Sequence, residues 1–429
     1  MRYDVALEVP MSRVSIIGAY NTKFGAFVQR DKETKQVTDS LSFYDLITEA
    51  GRGAIADAGL TADQIDAVWV GSCSPSLFVN QEHVAPLAAE IDPHLRFKPM
   101  TRTECACASS SAALYDALYS LEANRYRHVL VLGVEKMNLL GTREMTHALS
   151  CSSHWPTEGS QGMSFPMLFA AYAKGYQKRY GLADDELRRM FATVAALCYK
   201  NGAENPLAHF GPGGVAERAG LFTAEAILAL PAEGKGSNPM IADPLRLHDC
   251  SLVSDGAAAL VLTSTDNALK TRDKVVEIAG IGHAVERMPE NVRENMHELM
   301  AGKHAVHKAF EEAHVTIRDV DFAEVHDCFT INQLLSTEAL GLSDDGRAGH
   351  DYLDGRFTRD DRCPINLSGG LKAKGHPVGA TGASMHALAY KQLMGEPIGV
   401  AARDPKVGVV FNVGGSAVSN FVTVLRRIR

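Results

Sequence analysis

The fold of this chain is decided by the stretch AIADAGLTADQIDAVWVG at residues 54–71, which returns in outline as AFEEAHVTIRDVDFAEVH at residues 309–326. Two alanines, a threonine and an aspartate coincide when the copies are aligned, the aspartates being Asp66 and Asp321. Each copy has the pattern of a helix, a short turn and a buried strand. This internal similarity predicts two successive α/β units of the same build.

The rest of the chain supports two units. Apolar runs typical of strands alternate with segments of helical periodicity, which indicates an α/β fold. A length of 429 residues exceeds the size at which a single core usually stops growing. We therefore expect an N-terminal half at residues 1–270 and a C-terminal half at residues 271–429. Residues 135–252 lack the alternation and are rich in Gly, Pro, Met and aromatic residues, so we expect a loop insertion of the first half that closes over a site.

Composition excludes several classes of protein. A net charge of -8 without a dense Lys/Arg tract argues against nucleic-acid binding. The first residues lack the cationic and apolar pattern of a signal peptide, and no apolar run approaches the roughly 20 residues of a membrane span. We expect a cytoplasmic protein whose eight cysteines are reduced thiols, used for chemistry or for packing.

The first candidate for chemistry is Cys107, in the segment ECACASSSAAL at residues 104–114. It precedes a run of small residues that predicts a helix beginning near Ser109. The positive end of a helix dipole favours the thiolate, so Cys107 is a candidate nucleophile. A small buried cysteine is the alternative, for Cys105 as well. Further soft ligands at zinc-binding spacing are missing, so no metal site is predicted.

A second candidate is the segment AEVHDCFTINQL at residues 323–334. It places His326, Asp327 and Cys328 at the carboxyl end of a predicted strand, where the sites of α/β folds gather. Alternate residues of a strand face opposite sides, so His326 and Cys328 share one face and Asp327 points away. The pattern predicts a histidine and a cysteine directed into one cavity, with an ordinary surface turn as the alternative.

Two glycine-rich segments follow. NLSGGLKAKGHPVGATGASMHAL at residues 366–388 surrounds His376 with five glycines, which predicts a backbone that something approaches closely. A nucleotide-binding P-loop is disfavoured because its motif is missing. VGVVFNVGGSAVSN at residues 407–420 ends a predicted strand with Gly414 and Gly415. Their backbone N–H groups are free to face a ligand, although a plain turn has the same pattern.

Together and in this order, the four segments resemble the thiolase superfamily over nearly the whole chain. The motifs are CASS, HDCF, GHPVGATG and a glycine pair near the C-terminus. HDCF in place of the more usual NEAH resembles the thiolases associated with sterol carrier protein. The resemblance implies two duplicated βαβαβαββ halves in a five-layered αβαβα fold, a loop insertion in the first half, and a homodimer or homotetramer.

The resemblance also implies the chemistry. Cys107 is expected to carry the acyl group and His376 to activate it, in reversible thiolysis of a 3-ketoacyl-CoA or Claisen condensation with acetyl-CoA. His326 and His376 are expected to hold the enolate oxygen. The backbone N–H groups of Cys107 and Gly414 are expected to hold the tetrahedral intermediate.

Cys328 is the residue that resembles the acid/base of the sterol-carrier type. Asn412 stands where the NEAH-type thiolases carry their second cysteine. An amide cannot supply a proton, so we expect Asn412 to matter less for condensation than Cys328.

Coenzyme A and acyl-CoA are the expected substrates, and no permanently bound cofactor is expected. We expect CoA to bind Lys174, Lys178 and Arg179, a basic cluster on helical spacing, although three such cations are more often a solvated helix face. Two alternative functions stay open. One is a decarboxylating condensing enzyme, which Cys328 disfavours. The other is a lyase or acyltransferase subunit that works with a small OB-fold partner.

Overall fold

The main sheet of the computed structural model, which describes residues 13–31, 33, 34 and 36–429, has the strand order β11-β12-β13-β10-β1-β9-β6-β4-β5. Two ribbons, β2-β3 and β7-β8, lie outside it. The strands are β1 (Val14–Asn21), β2 (Val28–Arg30), β3 (Val37–Asp39), β4 (Ala67–Gly71), β5 (Met100–Thr103), β6 (His128–Glu135), β7 (Met240–Ala242), β8 (Leu245–Arg246), β9 (Gly256–Ser264), β10 (Val276–Val285), β11 (Phe322–Val325), β12 (Val407–Gly414) and β13 (Ser419–Arg427).

Helices cover both faces of the main sheet and fill the insertion between β6 and β9. They are α1 (Phe43–Asp57), α2 (Pro75–Val79), α3 (Ser109–Glu122), α4 (Thr142–Ser150), α5 (Phe165–Tyr180), α6 (Asp184–Gly202), α7 (Val215–Arg218), α8 (Ala224–Leu228), α9 (Thr265–Thr271), α10 (Met300–Ala313), α11 (Thr330–Ala339), α12 (Ala348–Leu353), α13 (Gly370–Ala373) and α14 (Thr381–Met394). None of the helices in the described residues is long and apolar enough to cross a membrane.

The two ends of the sheet are built alike, which confirms the duplication. β4 runs parallel to β6, which is followed by antiparallel β9 and β1. In the same way β11 runs parallel to β12, which is followed by antiparallel β13 and β10. The two aligned aspartates also make equivalent contacts, because each accepts two backbone N–H groups. Asp66 accepts the backbone N–H groups of Arg127 and His128 at 2.7 and 3.1 Å, and Asp321 accepts the two N–H groups where β12 begins, at 2.7 and 2.9 Å.

The helices form three layers around the strands. Alternate residues of β6 show two of the interfaces: Val129 and Val131 share a core with α3, whereas Leu130 and Leu132 share one with α1. α14 packs on α3 and contacts strands of both halves, while α10 covers β10 and β13. The layers therefore follow in the order α1, the strands of the first half, α3 with α14, the strands of the second half, and α10. This is the order expected for the five-layered fold.

The insertion differs from the expected loop because it contains helices α4 to α8. Its two longest, α5 and α6, contact α11, and α6 also contacts α12 and α13 of the second half. Phe191 and Val194 of α6 are fully or almost fully buried. These helices bury their apolar surface against the second half, so the insertion is a packed helical layer and not a loop.

Candidate active site

Cys107 lies in a tight turn just before α3. Ala106 has a left-handed backbone with φ of 50°, a conformation that non-glycine residues rarely adopt. The turn is closed by backbone hydrogen bonds from Ala108 to Cys105 (3.0 Å) and from Ser109 to Ala106 (3.2 Å). The Ser109 hydroxyl also donates to the Ala106 carbonyl at 2.6 Å. This network holds the Cys107 side chain in one direction.

That direction is a cavity of about 150 Å³ with mainly apolar walls. Both halves and the insertion contribute to it. Its apolar lining consists of Met137, Leu149, Phe165, Pro166, Phe169, Leu252, Val253, Phe329 and Val378. The groups able to do chemistry or to bind polar atoms are Cys73, Cys107, Ser152, Cys250, Ser251, Cys328, His376 and Gly415. An apolar pocket with a few converging polar groups is the usual form of a small-molecule site.

Two histidines lie beside the nucleophile, and of these His376 lines the cavity whereas His326 is fully buried. The sulfur of Cys107, one ring nitrogen of His326 and one of His376 all lie within 4.8 Å of one another. The two imidazole rings are 5.1 Å apart and nearly perpendicular, at 82°. His326 follows the end of β11, and His376 comes from the glycine-rich segment. The carboxyl ends of the parallel strands thus collect the reactive groups.

The HDCF residues follow the end of β11, and His326, which is fully buried, is not among the residues that line the cavity. Cys328 lines the cavity, while Asp327 points away and accepts the backbone N–H groups of Leu371 and Lys372 at 2.6 and 3.1 Å. Gly370 is left-handed, with φ of 59°, and a Cβ there would come within 2.3 Å of the Asp327 carboxylate. Gly370, in the glycine-rich segment at residues 366–388, is therefore required by the packing of that segment against the HDCF residues.

Burial keeps the nucleophile and its base uncharged. It raises the pKa of the Cys107 thiol to about 12, and a hydrogen bond from the Gly415 backbone N–H opposes this only in part. Burial, assisted by the nearby Lys374 ammonium, lowers the pKa of His376 to about 3. The thiolate expected from the helix dipole is therefore not the resting form, because loss of solvent outweighs the dipole.

The hydrogen bonds of His376 determine which of its nitrogens accepts a proton. Its Nδ1 lies 2.7 Å from the Thr381 hydroxyl, which already donates its hydrogen to the Pro377 carbonyl at 2.9 Å. A hydroxyl has one hydrogen, so it must accept from Nδ1–H. Nε2 then has a free lone pair, and neutral His376 can take the Cys107 proton through it.

Gly415, rather than Gly414, presents its backbone to the cavity. Gly414 packs against the nucleophile turn, where a Cβ would come within 2.3 Å of the Cys105 carbonyl oxygen. Gly415 is therefore a further candidate for the oxyanion donor, and the role expected of Gly414, which still belongs to β12, stays a prediction. Cys105 is absent from the cavity lining, and burial raises the pKa of its thiol to about 11.

The basic cluster lies on α5, away from the cavity lining. Lys174, Lys178 and Arg179 are exposed, and the Lys174 ammonium forms an ion pair with Asp243 at 3.0 Å. α5 begins at Phe165, which lines the cavity. At a rise of about 1.5 Å per residue, the three cations lie roughly 13 to 21 Å further along the helix axis.

A metal ion has candidate ligands here, since Cys107, His326 and His376 are soft donors in reach of one another. These are also the groups that the nucleophile and its base require. An ion bound to them would block the thiol, so the expectation of an enzyme without a resident metal stays a prediction.

Sequence reasoning missed the partners that orient the histidines. Thr381 lies inside the GHPVGATG motif and Ser111 inside the serine run after CASS, but neither motif shows which atoms they contact. Phe165 and Phe169 were also missed, because the insertion carries no recognisable motif.

Comparisons with known proteins cover nearly the whole chain. Residues 14–266 match the family model described as thiolase, N-terminal domain, and residues 282–427 match thiolase C-terminal domain-like. An acetyl-CoA acetyltransferase of Methanothermobacter thermautotrophicus is 36% identical over 419 residues, covering 97% of this chain and 100% of that protein. Sterol carrier protein 2 of Homo sapiens is 29% identical, covering 95% of this chain and 71% of that protein.

Solved structures share the fold. The Ltp2-ChsH2(DUF35) aldolase superposes with a TM-score of 0.78 at 21% identity, covering 97% of this chain and 98% of that chain. Human mitochondrial 3-ketoacyl-CoA thiolase in complex with CoA gives 0.64 at 18% identity, covering 98% and 99%. With both family models matched in order and a relative similar over its full length, this chain belongs to the thiolase family.

Proposed function

We propose that this enzyme catalyses reversible thiolysis of a 3-ketoacyl-CoA, or the reverse Claisen condensation with acetyl-CoA, through an acyl group on Cys107. The observation that carries the proposal is the approach of the Cys107 sulfur and two imidazole nitrogens to within 4.8 Å, at a cavity that also exposes the Cys328 thiol. Acyltransferase chemistry of this kind needs one thiol as nucleophile and a separate proton donor.

In the degradative direction, the Cys107 sulfur attacks the 3-keto carbon while His376 Nε2 takes the thiol proton. The substrate aligns the two groups, so a neutral pair can react without a prior thiolate. The backbone N–H groups of Cys107 and Gly415 are the proposed donors to the resulting oxyanion. Gly415 is proposed for this role ahead of Gly414 because its N–H is directed at the Cys107 thiol.

The C2–C3 bond then breaks and leaves an acyl group on Cys107. The departing acetyl-CoA enolate takes a proton at C2 from Cys328, and its oxygen is held by His326. Burial raises the pKa of Cys328 well above its ordinary value, which keeps this thiol protonated until the enolate forms. The Cys328 thiolate next takes the proton of an incoming CoA thiol, whose sulfur attacks the acyl carbon. The bond between that carbon and the Cys107 sulfur breaks, and Cys107 takes back the proton held on His376 Nε2, which restores the starting site. Condensation is the reverse of these steps.

The cavity favours a short acyl group. An apolar protein cavity of about 150 Å³ holds a molecule the size of benzene, which has six carbons. The cavity here has about that volume, and its mainly apolar walls suit an acetyl or acetoacetyl group better than a long chain or a sterol side chain. Relatives named acetyl-CoA acetyltransferase from two archaea, 36% and 38% identical to this chain, support that choice.

Coenzyme A is the proposed ligand of the α5 cations, and the protein is proposed to be a cytoplasmic homodimer or homotetramer. Within the part of the chain that the structure describes, β5 lies at the end of the main sheet and pairs on one side only, with β4. Next to it, Phe97 is 95% exposed. An unpaired edge strand beside an exposed aromatic residue is suited to contact with a second copy.

A lyase that works with an OB-fold partner is the second candidate, supported by the fold shared with the Ltp2-ChsH2(DUF35) aldolase. Incubation with acetyl-CoA followed by intact mass spectrometry separates the two. A transferase gains one acetyl group, whereas a lyase subunit gains none. Cys107→Ala should abolish the adduct and the thiolysis of acetoacetyl-CoA, while the matched variant Cys105→Ala keeps both. An acetyl group on another cysteine of Cys107→Ala would overturn the nucleophile assignment.

A further inference from the structure

Asn412 is a fully buried residue of β12 whose side chain joins three parts of the site. The Ser111 hydroxyl of α3 donates to its Oδ1 at 2.7 Å. Its Nδ2 lies 2.9 Å from His326 Nδ1 and 3.4 Å from the Cys107 carbonyl oxygen. The amide therefore sits between the nucleophile turn and the HDCF segment.

The surroundings determine the orientation of this amide. A backbone carbonyl can only accept hydrogen bonds, so the atom that faces the Cys107 carbonyl is the NH₂ group and not Oδ1. Gly382 keeps the arrangement close-packed, since a Cβ there would come within 2.8 Å of Oδ1 and 2.3 Å of the Ser111 hydroxyl. With the amide so oriented, its second N–H points at His326 Nδ1.

The consequence is a defined tautomer of His326. Nδ1 accepts a hydrogen bond and so carries no hydrogen, which leaves the hydrogen on Nε2. Nε2 is buried and has no hydrogen-bond partner among the described residues. Burial, together with the proximity of His376 and Lys374, lowers the pKa of His326 well below its ordinary value, so the ring is neutral. Neutral His326 thus has one N–H donor, at Nε2, and that donor has no partner within the described part of the chain.

The two histidines are therefore held as opposite tautomers. Thr381 leaves His376 with a free lone pair at Nε2, while Asn412 leaves His326 with a hydrogen at Nε2. One ring can accept the Cys107 proton, and the other can donate to a negative oxygen. Two neutral imidazoles 5.1 Å apart divide the work of base and oxyanion donor without either being charged beforehand.

We propose that Asn412 is a positioning residue, which acts through His326 by fixing the tautomer whose Nε2–H holds the enolate oxygen. The inference rests on the proposed thiolase reaction. It assigns a role to the residue that stands where other thiolases carry a second cysteine, and that role involves no proton transfer by the amide itself. Loss of the amide should impair the carbon–carbon bond step and spare acylation of Cys107, which uses the backbone oxyanion donors.

The variant Asn412→Asp tests this with little change of shape. A carboxylate accepts from Nδ1–H, so at neutral pH it favours the tautomer with a bare Nε2 and removes the donor. Condensation at pH 8 should fall roughly 100-fold or more, the usual effect of losing one oxyanion donor, while acetyl exchange between acetyl-CoA and CoA changes by less than about fivefold.

The pH profile and the nitrogen NMR spectrum give readouts that a merely structural role would not move. An added proton on the carboxylate–imidazole pair restores the Nε2–H, so condensation by Asn412→Asp should rise as pH falls, whereas the wild type shows no such rise. In histidine-labelled wild type at pH 8, His326 should show a protonated Nε2 and a bare Nδ1, and Asn412→Asp should show the reverse, with a protonated Nδ1 and a bare Nε2.

Thr381→Val is the matched contrast, because it disturbs the base tautomer of His376 and should lower exchange and condensation together. Asn412→Asp overturns the inference if it keeps the wild-type ratio of condensation to exchange, or lowers both rates equally with an unchanged pH profile. Wild type without acetyl exchange or condensation would instead defeat the proposed thiolase reaction. Stoichiometric acetylation of Cys107 in each variant shows that its site is folded.

Discussion

Phe169 of the insertion stacks on Phe329 of the second half, with ring centroids 4.6 Å apart and ring planes inclined by 26°. Both rings line the cavity at Cys107, and both side chains are buried. Phe329 directly follows Cys328, so the stacked pair forms a wall beside the proposed proton donor. A wall of two packed aromatic rings limits how far an acyl chain can extend.

Shortening Phe169 should therefore widen the accepted chain length. In Phe169→Leu and Phe169→Ala, kcat/KM for 3-ketohexanoyl-CoA and 3-ketooctanoyl-CoA should rise relative to acetoacetyl-CoA, by about tenfold or more for the alanine variant. Thiolysis rates across the chain-length series measure this. Phe→Ala in a core typically costs about 3–5 kcal/mol of unfolding free energy, so the leucine variant serves as the stable intermediate case. An unchanged chain-length profile in both variants would place the acyl group elsewhere in the cavity.

The pH dependence of acylation follows from the uncharged thiol and imidazole. His376 with a pKa of about 3 is a neutral base above that pH, and Cys107 with a pKa of about 12 is a neutral thiol below it. The rate of Cys107 acetylation by acetyl-CoA should therefore be nearly flat between about pH 5 and 9. Rapid-quench mass spectrometry at several pH values measures it. A preformed thiolate–imidazolium pair would instead give a limb with a pKa inside that range.

We expect the three cations on α5 to contribute to the binding of CoA. Neutralising Lys174, Lys178 and Arg179 to alanine together should raise the KM for CoA roughly tenfold at low salt, because exposed charge pairs each contribute up to about 1 kcal/mol. The effect should shrink as ionic strength rises. The matched control neutralises three exposed cations elsewhere, Lys270, Lys308 and Arg318, and should leave the KM unchanged. Equal KM values for the two triple variants would remove CoA from this surface.

Much of the fold could be predicted because its signals are local. The repeat that contains Asp66 and Asp321 predicts two units, and strand alternation predicts the directions of Asp327 and Cys328. The insertion was expected to be a loop, but its helices are stabilised by distant parts of the chain. α6, for example, packs on elements that begin more than a hundred residues later.

The site was harder to predict where it depends on long-range pairs. Ser111 and Asn412 are 301 positions apart, and no spacing rule relates them. From the sequence, Asn412 was therefore expected only to matter less for condensation than Cys328, because an amide supplies no proton. The contact with His326 could not be read from the sequence, and it gives the amide a second way to act, since an amide can determine where a neighbouring ring holds its own proton.

Cys328 is expected to act as the acid/base in carbon–carbon bond formation and cleavage, and a variant of Cys250 provides the control. Both thiols line the same cavity, and the backbone N–H that follows Cys250 donates to the Cys328 carbonyl at 2.8 Å. Cys328→Ala should still be acetylated at Cys107, because that step needs His376 and the backbone donors alone. Condensation should fall by at least about two orders of magnitude, the usual contribution of a positioned acid/base group, with a much smaller loss in acetyl exchange. Cys250→Ala removes another thiol, less buried than Cys328, from the same cavity and should keep the wild-type ratio of condensation to exchange. Equal loss of both rates in Cys328→Ala, or the same selective loss in Cys250→Ala, would move the proton donor to another group.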